Sequence, residues 1–265
     1  SLHDALPILW PEVLPEEMDL QIRIVIRVYQ IKLRHSAGIS IREQIVHLAK
    51  LCSQVTQDSA WAAMIAVALI GKLLVEVLGI EQMLKLYAQG RKQLDSGIVP
   101  KEVYQSSLSL IWHHVGKIKV QRELAVWFEV VEALTPAERE GIKKSALYQD
   151  AALSMADHFW LREADKTPED RHWDQVLELL HLLADRSRRL GLDMLWASAI
   201  RASIIVKAEY LHDMAAGATL AAEILSGPIP DDPRIRFLIK ECVGRNYAYI
   251  NDRAQARTWM LGAYQ

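Results

Sequence analysis

Gly244-Arg-Asn-Tyr247-Ala-Tyr-Ile-Asn251-Asp252-Arg-Ala-Gln-Ala256-Arg-Thr-Trp-Met260-Leu-Gly-Ala263 reads as two helices joined by a tight turn, one unit of a repeat. Gly244 and Tyr247 stand three apart and share a helix face. Asn251-Asp252 supplies the turn, because both residues bond their own backbone and Asn tolerates the left-handed conformation. The same punctuation runs back along the chain. Ser40-Ile-Arg-Glu43 and Thr135-Pro136-Ala-Glu138 predict capping boxes, and Thr167-Pro168-Glu-Asp170 and Asp232-Pro233 repeat the start signal with Pro at the first helical position. Gly38, Gly79, Gly97, Gly191 and Gly227 each follow an apolar-periodic run, as a left-handed stop requires.

Pairing neighbouring helices gives first helices near residues 16, 58, 101, 145, 192 and 233, a unit of about 42 to 46 residues. A helix pair of that size exposes an apolar face that it buries only by stacking on the next pair. The spacing therefore predicts an all-α chain of about six helix pairs.

The last unit resembles a tetratricopeptide repeat. In that family a small residue and an aromatic lie three apart on the first helix, a tight turn follows, and alanines recur on the second helix where two helices pack closely. Gly244 and Tyr247 match the first pair, Asn251-Asp252 the turn, Ala256 and Ala263 the close-approach positions, and Met260 the large apolar position between them. Lys240 stands where the family has its opening Trp, and the unit length exceeds the family's about 34 residues. The resemblance implies a right-handed α-solenoid of antiparallel helix pairs whose first-helix faces line a concave groove that receives a partner. Glu241, Arg245 and Tyr249 are spaced by four along such a face and are the candidate partner-binding residues. Glu241 and Arg245 equally form an i, i+4 surface pair worth a few tenths of a kcal/mol.

One stretch reads two ways. Ile22, Ile24, Ile26 and Val28 alternate as in a strand, yet no second strand-like run exists to pair with it, so helix is favoured over residues 21–31. The apolar run Ala60-Trp-Ala-Ala-Met-Ile-Ala-Val-Ala-Leu-Ile70 is shorter than the about 20 residues a membrane span needs, with Lys72 and Glu76 following, and reads as a buried repeat helix. A hydrophobic content of 51% supplies a core, and a net charge of −2 argues against a general nucleic-acid binder. Cys52 and Cys242 lie far apart with no Cys-x-x-Cys pairing, which fits a reducing, cytoplasmic setting. Residues 1–15 are set aside as a non-native or disordered leader, since Ser1-Leu-His-Asp-Ala-Leu-Pro-Ile8 resembles the translation of a sequencing-adapter end. The repeat domain is expected to run over residues 16–265 as an internal piece of a longer protein, truncated within its last unit.

Motifs with chemical meaning are sparse. Glu178-Leu-Leu-His181 and Glu209-Tyr-Leu-His212 have the spacing of di-iron bundles, but on consecutive helices joined at Gly191 they differ in height by roughly 16 Å and share no metal. His113-His114 lack a partner at ligand spacing. Gly71-Lys72 and Gly116-Lys117 lack the rest of a phosphate-binding loop. Arg186-Ser-Arg188-Arg189 sits in a helix's last turn, where cations complement the dipole, and Trp61 and Trp196 lie in apolar runs as core residues. No catalytic, cofactor-binding or metal residue is assigned. The expectation is a non-catalytic protein-protein interaction or sensing scaffold, a segment of a larger protein similar to bacterial signalling ATPases or regulators, with a protein or peptide partner and no membrane. The alternative is a helical enzyme with an unrecognised pocket.

Overall fold

The computed structural model describes residues 14–15, 18–93, 114, 118, 120–144, 146–230 and 232–264, and at 146, 147 and 149 the backbone alone. The described residues form twelve α-helices and no strand. The chain packs as two compact units, Ser1–Arg139 and Glu140–Gln265. First helices start at Leu20, Ala60, Ala146, Asp193 and Pro233, close to the expected positions. The one expected near 101 lies outside the described residues, as do Gly97, His113 and Gly116-Lys117.

The first unit holds α1 (Leu20–Ser36), α2 (Arg42–Cys52), α3 (Ala60–Leu78), α4 (Ile80–Gln93), α5 (Gln121–Glu132) and the start of α6 (Pro136–Lys143). The ambiguous β-branched stretch is helical, and the reason is visible in its burial. Ile24, Val28 and Ile31, spaced four and three apart, are fully buried, whereas Ile22 is left 46% exposed; a strand would have put Ile22 and Ile24 on one face. They pack with Ile45 and Leu48 of α2 and Met64 and Val67 of α3 in the buried core, and α4 and α5 add Met83, Leu84, Tyr87, Trp127 and Phe128.

The apolar run belongs to a longer helix than its composition suggested. α3 has 19 residues, which makes it long and apolar enough to cross a membrane, so length alone does not exclude a span. Half of its most apolar stretch is buried against the rest of the unit, it packs on α1, α2 and α4, and its backbone leaves helical geometry at Ile70 (φ −135°, ψ 19°). We read it as a core helix. Gly79 alone joins it to α4, and its φ of 84° is one that a side chain would resist.

The second unit holds α7 (Ala146–Ala164), α8 (Trp173–Arg189), α9 (Asp193–Ile205, continued by a π turn over Val206–Tyr210), α10 (Met214–Ser226), α11 (Pro233–Tyr249) and α12 (Arg253–Ala263). The first helices stack on one another, α9 lying against both α7 and α11, while each also packs on the helix that follows it. This layering is compatible with a helical repeat. In the last pair, Phe237 meets Tyr264, the Lys240 ammonium donates to the Gly262 carbonyl, and Gly244 meets Met260, so positions ascend on α11 as they descend on α12. Asn251 makes the turn at φ 62°.

The local signals fared unevenly. Thr135 and Glu138 form the reciprocal box, the Thr135 N–H donating to the Glu138 carboxylate at 2.7 Å and the Glu138 N–H to the Thr135 hydroxyl at 3.3 Å. Asp232 caps α11 by accepting from the Arg234 N–H. The Ser40 box does not form. α2 starts one residue later, at Arg42 with Ile41 before it, so Glu43 falls at the second helical position and the reciprocal reach is lost. Thr167-Pro168 opens a 3₁₀ turn (Pro168–Asp170) in place of an α-helix, with the Thr167 hydroxyl donating to Asp170. Gly38, Gly79 and Gly191 stop their helices at positive φ, but Gly227 is extended (φ −84°, ψ 179°) and needs no glycine.

Two substitutions test this packing. A Cβ on Gly244 would lie 2.7 Å from Met260 Cγ and 3.1 Å from the Met260 backbone nitrogen. Gly244→Val is expected to lower stability by about 1–3 kcal/mol, as is Ala256→Trp at the buried position of α12, while Arg245→Ala stays within about 0.5 kcal/mol; denaturant midpoints of the three variants give the ranking. In the first unit, one Arg91 nitrogen lies 3.0 and 3.1 Å from the two Glu138 oxygens, and the arginine is buried. Glu138→Ala removes that pair and the α6 cap together, so its cost, measured the same way, should exceed that of Thr135→Ala and reach about 2–3 kcal/mol.

Candidate interaction surface

The connection between α7 and α8 is clipped by its own side chains. Arg171 donates to the carbonyls of Lys166 (3.1 Å) and Ala164 (2.9 Å), and the buried Glu163 carboxylate accepts from the His172 N–H and pairs with Lys166 at 2.8 Å. The clip delivers Trp173 to the start of α8. At the far end of α9 the hydrogen-bond ladder widens by one residue, the Leu211 N–H reaching the Val206 carbonyl at 3.0 Å. A π turn of this kind is uncommon and is often found at functional sites. It carries Glu209 and Tyr210, and His212 (φ 55°) then reverses the chain into α10, which Asp213 caps. Tyr210 is thereby set beside Trp173 (ring centroids 4.4 Å) and Trp160 of α7 (5.7 Å).

Charged groups continue this strip across the three stacked first helices. Asp157 of α7 pairs with Arg201 of α9 at 2.8 Å and accepts from the Trp160 indole at 3.0 Å. The Arg201 carbonyl faces the Cys242 thiol of α11 at 3.9 Å. Glu209 lies in the field of both Arg201 and Arg245; burial pushes its carboxyl above the usual range, and the two guanidinium groups offset this only in part. Glu241 and Arg245, the expected i, i+4 pair, are half-buried on α11, with Arg245 Nε 3.7 Å from the carboxylate and beyond hydrogen-bond reach. Tyr249, one turn further on, is 72% exposed. The three expected residues therefore occupy one end of a longer surface running through Arg201, Glu209 and Asp157 to the aromatic trio.

Sequence reasoning missed the rest of that surface. A usable signal existed in the offsets: Arg201 and Glu241 each lie eight residues into their first helices, Asp157 eleven into its own and Arg245 twelve. The π turn had no signal at all.

The other motifs resolve plainly. Arg186, Arg188 and Arg189 do occupy the last turn of α8; Arg188 pairs with Asp193, donates to the Pro228 carbonyl and lies over the Trp196 ring, and Arg189 pairs with Asp185. Trp196 is buried as expected, whereas Trp61 is half-buried with its indole donating to Gln21. Glu178 and His181 are exposed on α8, while Glu209 and His212 flank the end of the π turn and do not share an α-helical face. Among the described residues no three His, Cys, Asp or Glu side chains converge as a metal site. Cys52 and Cys242 are free and buried, and burial raises both thiols to about 12, where they are poor nucleophiles. His114 is buried. Comparison of the chain with known protein families, with curated proteins and with solved structures gave no match.

The raised Glu209 carboxyl gives a pH test. A group that holds its proton more tightly folded than unfolded stabilises below its unfolded value, and that contribution is lost as pH rises through the folded one. Glu209→Gln should therefore raise the unfolding midpoint at neutral pH, and the gain should disappear as pH falls through the carboxylate range.

Proposed function

We propose that the chain is a non-catalytic helical-repeat segment that holds a protein or peptide partner along the stacked first helices α7, α9 and α11. The observation that carries this reading is the continuity of the strip, from the Trp160, Trp173 and Tyr210 rings through the Asp157–Arg201 pair to Glu241, Arg245 and Tyr249. Half-exposed aromatics beside charged groups of both signs supply the anchors and the orientation-setting contacts that peptide recognition needs. On this reading the helix pairs form the tetratricopeptide-like, right-handed solenoid that the last unit resembles, and the strip is its concave face. The setting is cytoplasmic, within a larger protein similar to bacterial signalling ATPases or regulators, where such an array senses or docks a second molecule.

The test is selection of peptides from a random display library against the purified protein. Selected sequences should share a motif and bind in the micromolar range, and Trp160→Ala and Arg245→Ala should each weaken that binding about tenfold or more with the thermal midpoint little changed. Selected peptides that bind both variants as well as the parent would end the assignment to this face.

A further inference from the structure

The last helix pair carries a second surface, separate from the strip. In the second unit, seven large apolar side chains among the described residues are exposed, and five of them, Phe237, Tyr249, Ile250, Leu261 and Tyr264, lie on α11, α12 and their turn. α12 buries only Ala256 and packs chiefly on α11. Its inward positions, 256, 260 and 263, face α11. The opposite side presents Arg257 and, one turn on, Leu261 (54% exposed), continuing to Tyr264 (79%) and its ring partner Phe237. Nothing described covers this side. α9, by contrast, has a helix against it on both sides.

Charge identifies the occupant. Residues 233–264 hold six cations, Arg234, Arg236, Lys240, Arg245, Arg253 and Arg257, against the carboxylates Glu241 and Asp252, a balance of +4 in a chain whose net charge is −2. Three of the six are engaged locally: Arg234 with Asp232, Lys240 with the Gly262 carbonyl and Arg245 beside Glu241. Arg236 and Arg257 are exposed and flank Phe237 and Leu261. Two copies of such a face, apolar at the centre and cationic around it, repel each other, so self-association through it is disfavoured. An apolar centre framed by cations matches an amphipathic helix that is apolar on one side and acidic beside it.

We propose that the outer face of α12, with Phe237, Leu261 and Tyr264 at its centre and Arg236 and Arg257 at its edge, docks an acidic amphipathic helix from a partner protein. The probe is a synthetic 18-residue helical peptide with Leu at i, i+3, i+4 and i+7 positions and Glu on the flanks, compared with the same peptide carrying Lys for Glu. Fluorescence anisotropy should show saturable binding of the acidic peptide at least about tenfold tighter than the basic one, weakening as salt rises. Leu261→Asp and Arg257→Glu should each cut affinity by about tenfold or more, and Arg245→Ala, in the strip, should leave it unchanged. No saturable binding of the acidic peptide, equal binding of both peptides, or indifference to Leu261→Asp and Arg257→Glu overturns the proposal. So does a concentration-dependent dimer by light scattering that Leu261→Asp returns to monomer, since the face would then belong to a second copy.

Discussion

The second unit depends on α9 being enclosed. A helix with neighbours on nearly every side keeps few bulky side chains, and α9 meets that constraint with Ala197, Ser198, Ala199, Ala202 and Ser203 among its ten buried residues. Small side chains let α7, α8, α10 and α11 approach together. The two serines would be costly in such a place, but each hydroxyl donates back to a carbonyl one turn earlier, Ser198 to Met194 and Ser203 to Ala199. With polarity satisfied inside its own turn, α9 needs nothing polar from its neighbours. Their charged groups are free to collect at the rim, where Arg201 meets Asp157.

Enclosure also explains why the strip is continuous. Three first helices stacked side by side bring equivalent positions into line, so a charge near the third turn of one falls beside a charge near the third turn of the next. The pairing of Asp157 with Arg201, and the shared field of Arg201 and Arg245 on Glu209, follow from that alignment. In the first unit the corresponding role falls to apolar packing, with the long α3 bent at Ile70 and lying against α1, α2 and α4.

Legibility from sequence tracked how local the determining physics is. The Asn251 turn, the positive-φ glycines 38, 79 and 191, the Thr135–Glu138 box and the Asp232 cap are settled within a few residues and were readable. So was the Gly244–Met260 approach, through the repeat resemblance. The Ser40 box and the Thr167 start failed because one residue of register, set by how a helix sits on its neighbours, decides whether a cap is made. Half of the strip was unreadable for a further reason: Glu209 and Tyr210 owe their direction to the π turn, which Tyr210 packing between rings from α7 and α8 accompanies, and no short-range pattern encodes it.

That π turn makes the strip a matter of counting. One extra residue in a helical turn shifts everything after it by about 100° around the axis relative to an uninterrupted α-helix. Loss of a single residue between 206 and 210 would remake a regular helix with its core face nearly intact up to Ile205, yet swing Glu209 and Tyr210 away from the first-helix row and misdirect the entry to α10. Drift by insertion and deletion at this one point would therefore re-aim the surface while sparing the scaffold, a route to new partners in which no contact residue itself is replaced.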